Sequence, residues 1–274
     1  MLACFPNTRK DQGSPLPSES GVDSEASPLA EDYLTADGAT MIAIRAGSFE
    51  MGSADYAPAH EVTLTHDFWI GQTEVTQAQY IARIATNPSA EPGCGDTCPV
   101  DQVTWAMAAL YANAMSTSEG LKQCYTASGT ALVETLSDSP YACEGYRLPT
   151  DAEWEHAARA GEAYTYAGSD NPEDVAWTYE NSGGTSQPVA SKVANGVGLY
   201  DMSGNVWEWT GDWYADYTAD PATDPTGAAS GDSRVNRGGS WLADAANARV
   251  ASRAGDDPGY AYFDVGFRLV RTTP

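Results

Sequence analysis

Gly198-Leu199-Tyr200-Asp201-Met202-Ser203-Gly204-Asn205-Val206-Trp207-Glu208-Trp209 decides how this chain is read. The stretch shows neither the 3.6-residue apolar period of a helix nor the strict alternation of a strand. It mixes turn formers with tryptophan, the composition of a loop kept in place by large apolar anchors. On the plainer of two readings, Trp207 and Trp209 fill core while Asn205 and Glu208 only hold the loop by hydrogen bonds. The same texture, Gly, Asn and Asp with embedded aromatics, runs through most of the chain after Gly161.

Upstream the signals are more regular. Met41-Ile42-Ala43-Ile44 and Gly47 to Gly52 read as two strands around a turn, and Glu61 to Thr65 alternates before running into Phe68-Trp69-Ile70. Thr76-Gln77-Ala78-Gln79 is a capping box that opens a helix through about Ile84. A second helix is predicted from Thr104 to Ser116. A third follows the capping box Thr150-Asp151-Ala152-Glu153 and stops at Gly161, with Trp154, Ala157 and Ala158 on its buried face. Residues 211–233 read as a long surface loop, with Arg234-Val235 and Val265 to Val270 as closing strands. So few helices among so many anchored loops imply one compact α+β domain over residues 39–274, preceded by a tether over residues 1–38. The tether is rich in Pro, Ser, Asp, Glu and Gly and has too little apolar surface to order itself.

The chain has 274 residues and a formal net charge of −24, from 38 acidic and 14 basic residues. Such a surface repels nucleic acid and anionic lipid, which excludes both as partners. It favours hard cations, calcium foremost. No apolar run reaches the roughly 20 residues of a membrane-spanning helix, so a membrane is reached only through a lipid anchor. Leu2-Ala3-Cys4 matches the end of a bacterial lipoprotein signal, which makes Cys4 the candidate lipidation site. Of the five cysteines, Cys94 and Cys98 share one turn-rich stretch, and Cys124 and Cys143 bracket an insertion-like segment. Two local disulfides, Cys94–Cys98 and Cys124–Cys143, are expected in an oxidising compartment, although sequence leaves the other connectivities open.

Phe68 to Thr76, Tyr146 to Glu155, Gly198 to Trp209 and Arg237-Gly238-Gly239-Ser240-Trp241, closed by Gly266-Phe267-Arg268-Leu269, together resemble the sulfatase-modifying-factor family. The resemblance spans roughly residues 39–271 and implies a C-type-lectin-like fold with long loops. The family's formylglycine-generating enzyme oxidises a cysteine of a sulfatase, using two cysteines of its own to hold copper. Soft thiolates suit Cu(I). The matching positions here are Ala243 and Ala248, and no cysteine follows Cys143. The resemblance therefore implies neither copper nor a catalytic residue. Iron-dependent relatives use histidines from an extra helical domain, whereas this chain has only His60, His66 and His156. His156 reads as structural, and His60 and His66 have the even separation that puts both on one side of a strand.

The loop matching Asp201 to Glu208 binds structural calcium in that enzyme. Carried over, the ligands are the side chains of Asp201 and Glu208 and the carbonyls of Gly204 and Val206, an all-oxygen shell. Arg237 and Arg268 are expected to pair with buried carboxylates, and Gly238 and Gly239 to permit a tight turn. Other relatives, diversified by retroelements, are surface lipoproteins that vary the stretch after Gly-Gly-Ser-Trp. Its counterparts here offer a candidate ligand face of Asp244, Asn247, Ser252, Asp256, Tyr260 and Tyr262. The expectation is an exported, calcium-stabilised, noncatalytic scaffold or recognition domain for a protein or small-molecule ligand. A formylglycine-generating-type oxidoreductase and a retroelement-diversified surface lipoprotein are the alternatives.

Overall fold

A computed structural model describes residues 1, 29–54, 56–89, 94–128, 132–135 and 139–274. Cys4 and most of the expected tether lie outside them. The ordered unit begins before residue 39. Strand β1 (Tyr33–Leu34) pairs antiparallel with β2 (Thr40–Ile44), because Tyr33 has a core to reach: its ring meets Trp69 edge-on at 5.1 Å. The boundary expected at residue 39 therefore moves upstream.

Strand β3 (Gly47–Ser53) pairs with β4 (Tyr56–Leu64), and β5 (Phe68–Gly71) returns beside β2. Helix α1 (Gln77–Ile84) starts at the reciprocal capping box of Thr76 and Gln79. Helix α2 (Trp105–Ser118) is capped by Thr104 and runs slightly past its predicted end. A hairpin of β6 (Tyr125–Ser128) and β7 (Leu132–Thr135) fills the insertion, and β8 (Tyr146–Arg147) leads to α3 (Asp151–Arg159). Ala160 takes the left-handed C-cap conformation at φ 51°, and Gly161 follows at φ 74°, so the stop falls one residue ahead of the glycine. A single turn, α4 (Pro172–Val175), precedes the loops.

The C-terminal part is more regular than its sequence. β9 (Trp207–Trp213), β11 (Arg234–Arg237), β12 (Arg253–Asp256) and β13 (Val265–Gly266) form a sheet in the order β12-β11-β9-β13. The stretch expected as surface loop thus contributes the end of β9, and also β10 (Ala222–Thr223), which pairs parallel with β4. The segment expected as one strand from Val265 to Val270 divides into β13 and β14 (Val270–Thr272), which serve different sheets. β14 lies between β5 and β8 in the sheet β1-β2-β5-β14-β8.

Two large apolar clusters support these sheets. One joins α2 to Tyr146, Trp209 and Phe267; the other joins α3, through Trp154, Ala157 and Ala158, to β3, β4 and β5. Cys124–Cys143 closes against the first cluster, and Cys94–Cys98 closes a short loop between α1 and α2. Among the described residues no helix is long and apolar enough to cross a membrane.

Candidate functional site

The Asp201–Glu208 loop is placed by three backbone hydrogen bonds to two other segments. Gly204 N donates to Gly238 O (2.7 Å), Asn205 N to Trp177 O (2.8 Å), and Trp241 N to Asn205 O (2.7 Å). These bonds need left-handed backbone at Asp201, Gly204 and Asn205, with φ of 57°, 81° and 64°. Asp and Asn tolerate that region better than most residues. Gly204 is required outright, since an added Cβ would lie 2.3 Å from the Trp177 carbonyl oxygen. The expected core role of Trp209 holds: it is fully buried, and its Nε1 donates to Val103 O (3.0 Å).

The loop's carboxylates divide into two kinds. Glu208 is paired. Arg268 Nε and Nη2 donate to its Oε2 (2.7 Å) and Oε1 (2.6 Å), and Trp154 Nε1 adds a third bond at 2.8 Å. Arg268 thus already supplies a countercharge to Glu208, the residue expected as a calcium ligand. Asp201 is different. Ala190 N donates to its Oδ2 (2.7 Å), while its Oδ1 is buried with no hydrogen-bond partner among the described residues. Burial pushes its carboxyl up to about 6. Burial also raises Glu74 well above the usual range, reinforced by the charges of Asp201 and Glu208. Such a site is short of positive charge, so the residues fit a hard cation at Asp201, completed by loop carbonyls. Among the described residues no three His, Cys, Asp or Glu side chains are grouped to hold a metal. Carbonyls would therefore have to supply most of the shell.

The expected arginine pairs form. Besides Arg268 with Glu208, Arg237 binds Asp151 and Glu155, each at 2.5 Å, from a fully buried position. Arg147, not singled out in the sequence, clasps Glu153 with both terminal nitrogens (2.7 and 2.8 Å). The histidines do not converge. His156 Nε2 lies 2.9 Å from Arg45 O, His60 packs on Tyr217, and His66 lies 3.4 Å from Glu153 and from Asp224.

Ala243 and Ala248 follow the Gly238–Gly239 turn, whose φ values are 95° and 75°. Ala243 N donates to Ser240 O, and Ala243 O accepts from Tyr179 N, each at 3.0 Å. Ala248 ends a short 3-10 turn (Ala245–Ala248) and is fully buried against Tyr166, Val175 and Ala176. The fit is tight, since a Cβ on Gly239 would lie 2.9 Å from Ala248 Cα. Methyl groups thus stand at both positions where the resemblance would call for copper-binding cysteines.

The segment from Trp241 to Asp264 follows that turn and carries exposed aromatic, apolar and acidic side chains. Ser240 Oγ donates to Asp264 Oδ2 (2.8 Å), joining the two ends of the segment. Tyr260 is 62% exposed and packs on Tyr262, with ring centroids 4.7 Å apart. Phe263 is 46% exposed and lies 6.0 Å from Trp241. Leu242 and Asp244 are exposed, and Asn247 and Asp256 half-buried. Ser252 is the exception among the expected face residues. It is buried, because its carbonyl accepts from Arg237 Nη1 (2.8 Å) and the chain must turn inward there. Phe263 and Leu242 were missed because isolated apolar residues in a loop read as core.

A family model described as sulfatase-modifying factor enzyme 1-like domain matches residues 27–273. The chain is 33% identical over 262 residues to a chaperone protein, LppX, of Paenibacillus barcinonensis, covering 85% of this chain and 89% of that one. It is 31% identical over 221 residues to the formylglycine-generating enzyme of Mycobacterium tuberculosis, covering 62% and 73%. Among solved structures, Treponema denticola variable protein 1 superposes with a TM-score of 0.81 at 33% identity, covering 88% of this chain and 98% of that one.

Proposed function

The chain belongs to the sulfatase-modifying factor enzyme 1-like family, and we propose that it is a noncatalytic, extracytoplasmic recognition domain that holds a protein ligand. The observation that carries this reading is the pair Ala243 and Ala248, with Ala248 fully buried where a redox thiolate would have to reach a metal. Beside them the exposed side chains of Tyr260, Phe263 and Leu242 offer apolar surface that a monomer gains nothing by leaving in water. Aspartates at its rim keep it soluble. Similarity to a chaperone protein supports a protein as the ligand, and similarity to a variable protein supports recognition over chemistry.

The two disulfides and the relationship to LppX support an extracytoplasmic setting. Lipidation at Cys4 would then tether the domain to the bacterial envelope. Calcium would bind Asp201 with the carbonyls of Gly204 and Val206, neutralising a carboxylate that burial otherwise disfavours. The noncatalytic part is tested with a cysteine-containing peptide of the sulfatase type, oxygen and added Cu(I). The expected result is no stoichiometric copper by elemental analysis and no aldehyde by mass spectrometry. Retained copper together with aldehyde formation would overturn the reading.

A further inference from the structure

The two disulfides sit in opposite settings. Cys124 is fully buried and Cys143 is 8% exposed, and both lie in the main apolar cluster with Tyr125, Tyr146 and Trp105. An attacking thiolate cannot reach them without opening that core. Cys94–Cys98 spans only four residues. Cys98 is fully buried, whereas Cys94 is partly exposed. Cys94 Sγ lies 3.1 Å from Ser186 O. One cysteine of the pair is thus partly exposed and the other shielded.

The loop that carries the pair is held without the bond. Gln77 N and Ala78 N, at the start of α1, donate to Cys98 O (2.8 Å) and Asp96 O (3.2 Å). Val189 N donates to Thr97 O and Cys98 N to Gly95 O, each at 3.0 Å, and Thr76 bridges to Pro99. These contacts involve backbone only, so they persist when the sulfurs separate. A staple across a loop already fixed at this many points adds little constraint.

We propose that Cys94–Cys98 is a thiol–disulfide exchange site, with Cys94 the sulfur attacked and Cys98 the leaving sulfur. A thiolate of a partner protein attacks Cys94 Sγ, the Cys94–Cys98 bond breaks, and its electron pair leaves on Cys98 Sγ, which takes a proton from solvent. A mixed disulfide then joins the partner to Cys94. A second partner thiolate attacks the partner's own sulfur in that bond and releases Cys94 as a thiolate. The partner's two thiols lose two electrons and become a disulfide; Cys94 and Cys98 gain them and end as thiols. Return to the starting state needs a disulfide compound as oxidant. The activity does not depend on what the Trp241–Asp264 face recognises.

The test uses the full oxidised chain in reduced glutathione, quenched with an alkylating reagent and mapped by peptide mass, which reads Cys4 separately. Cys94–Cys98 is expected to open more than about tenfold faster than Cys124–Cys143, with the near-ultraviolet circular dichroism unchanged. In oxidised glutathione, whose own disulfide supplies the oxidant, a Cys98→Ser variant is expected to capture glutathione on Cys94, and a Cys94→Ser variant to leave Cys98 unmodified while folded. Equal opening rates in the unaltered protein would overturn the proposal. So would opening of Cys94–Cys98 only as the dichroism collapses, or preferential capture on Cys98.

Discussion

Arg268 meets Glu208 with two parallel hydrogen bonds of 2.7 and 2.6 Å, and neither side chain is exposed. Arg268 also donates to Gly71 O (3.0 Å) and Tyr200 O (2.9 Å), so one guanidinium ties the last sheet strand region to the loop ahead of β9. Removing one member leaves a buried charge without its counterpart, at a cost of about 3–5 kcal/mol. Arg268→Met is therefore expected to lower the Tm by roughly 6 °C or more. Arg271→Ala removes an outer contact with Trp69, at 5.4 Å, and an exposed hydrogen bond to Glu144 O (3.0 Å), and is expected to change it by about 1–4 °C. Thermal melting of both variants checks this, and similar shifts would refute the ranking.

Burial is also expected to make stability fall with rising pH over part of the range. It lifts Asp212 to about 7, helped by the charge of Asp151, and Asp201 to about 6. Both titrate near 4 in an unfolded chain. Between those values the folded state holds the extra protons, so these groups lose stability as pH rises from about 4 to about 7. Glu153 acts in the opposite sense. Burial opposes its charge, but Arg147 outweighs that and holds it at about 2. Its contribution is present above about pH 4.5 and disappears as pH falls toward 2. Melting in chelator should show the decline between pH 5 and 7, and Asp212→Asn should flatten it. An unchanged slope in that variant would contradict the assignment.

Calcium should reduce the Asp201 part of this penalty. At a calcium concentration 100-fold above its Kd, binding to the folded state alone adds about 2.7 kcal/mol. Tm is then expected to rise by roughly 5–10 °C, and Asp201→Ala should abolish the rise. Calcium titrations followed by melting check both expectations. A calcium-dependent rise that survives Asp201→Ala would place the cation elsewhere.

Two glycines with similar backbone should respond unequally to alanine. Gly204 and Gly184 have φ of 81° and 85°, but only Gly204 faces a carbonyl, 2.3 Å from where the Cβ would go. Gly184→Ala carries the left-handed strain alone, about 1–2 kcal/mol. Gly204→Ala must also push Trp177 away, and is expected to lose several times as much stability or fail to fold. Comparable melting temperatures for the two variants would refute the close approach.

The helices were legible in the sequence because capping is local: Thr76, Thr104 and Thr150 each cap within three residues of the helix they start. The lectin-like fold was legible through its motifs. The sheet around β9 was not, since Trp207–Trp213 becomes a strand only by pairing with residues more than 20 positions away. The arginines were expected to pair, but which carboxylates they take is a matter of tertiary contact. Glu208, which the resemblance offers as a calcium ligand, meets Arg268 only through such a contact. Ser252 was misplaced for the same reason: its own residue type is polar, and only Arg237 explains why it is buried.

Recognition of a protein by the Trp241–Asp264 face is tested most directly by aggregation suppression. Light scattering of thermally unfolding citrate synthase would be followed with the calcium-loaded chain and with a Tyr260→Ser/Phe263→Ser variant of matched Tm. The account predicts that the unaltered chain suppresses scattering at near-stoichiometric amounts and that the variant loses most of this effect. No suppression by the unaltered chain, or equal suppression by both proteins, would contradict it.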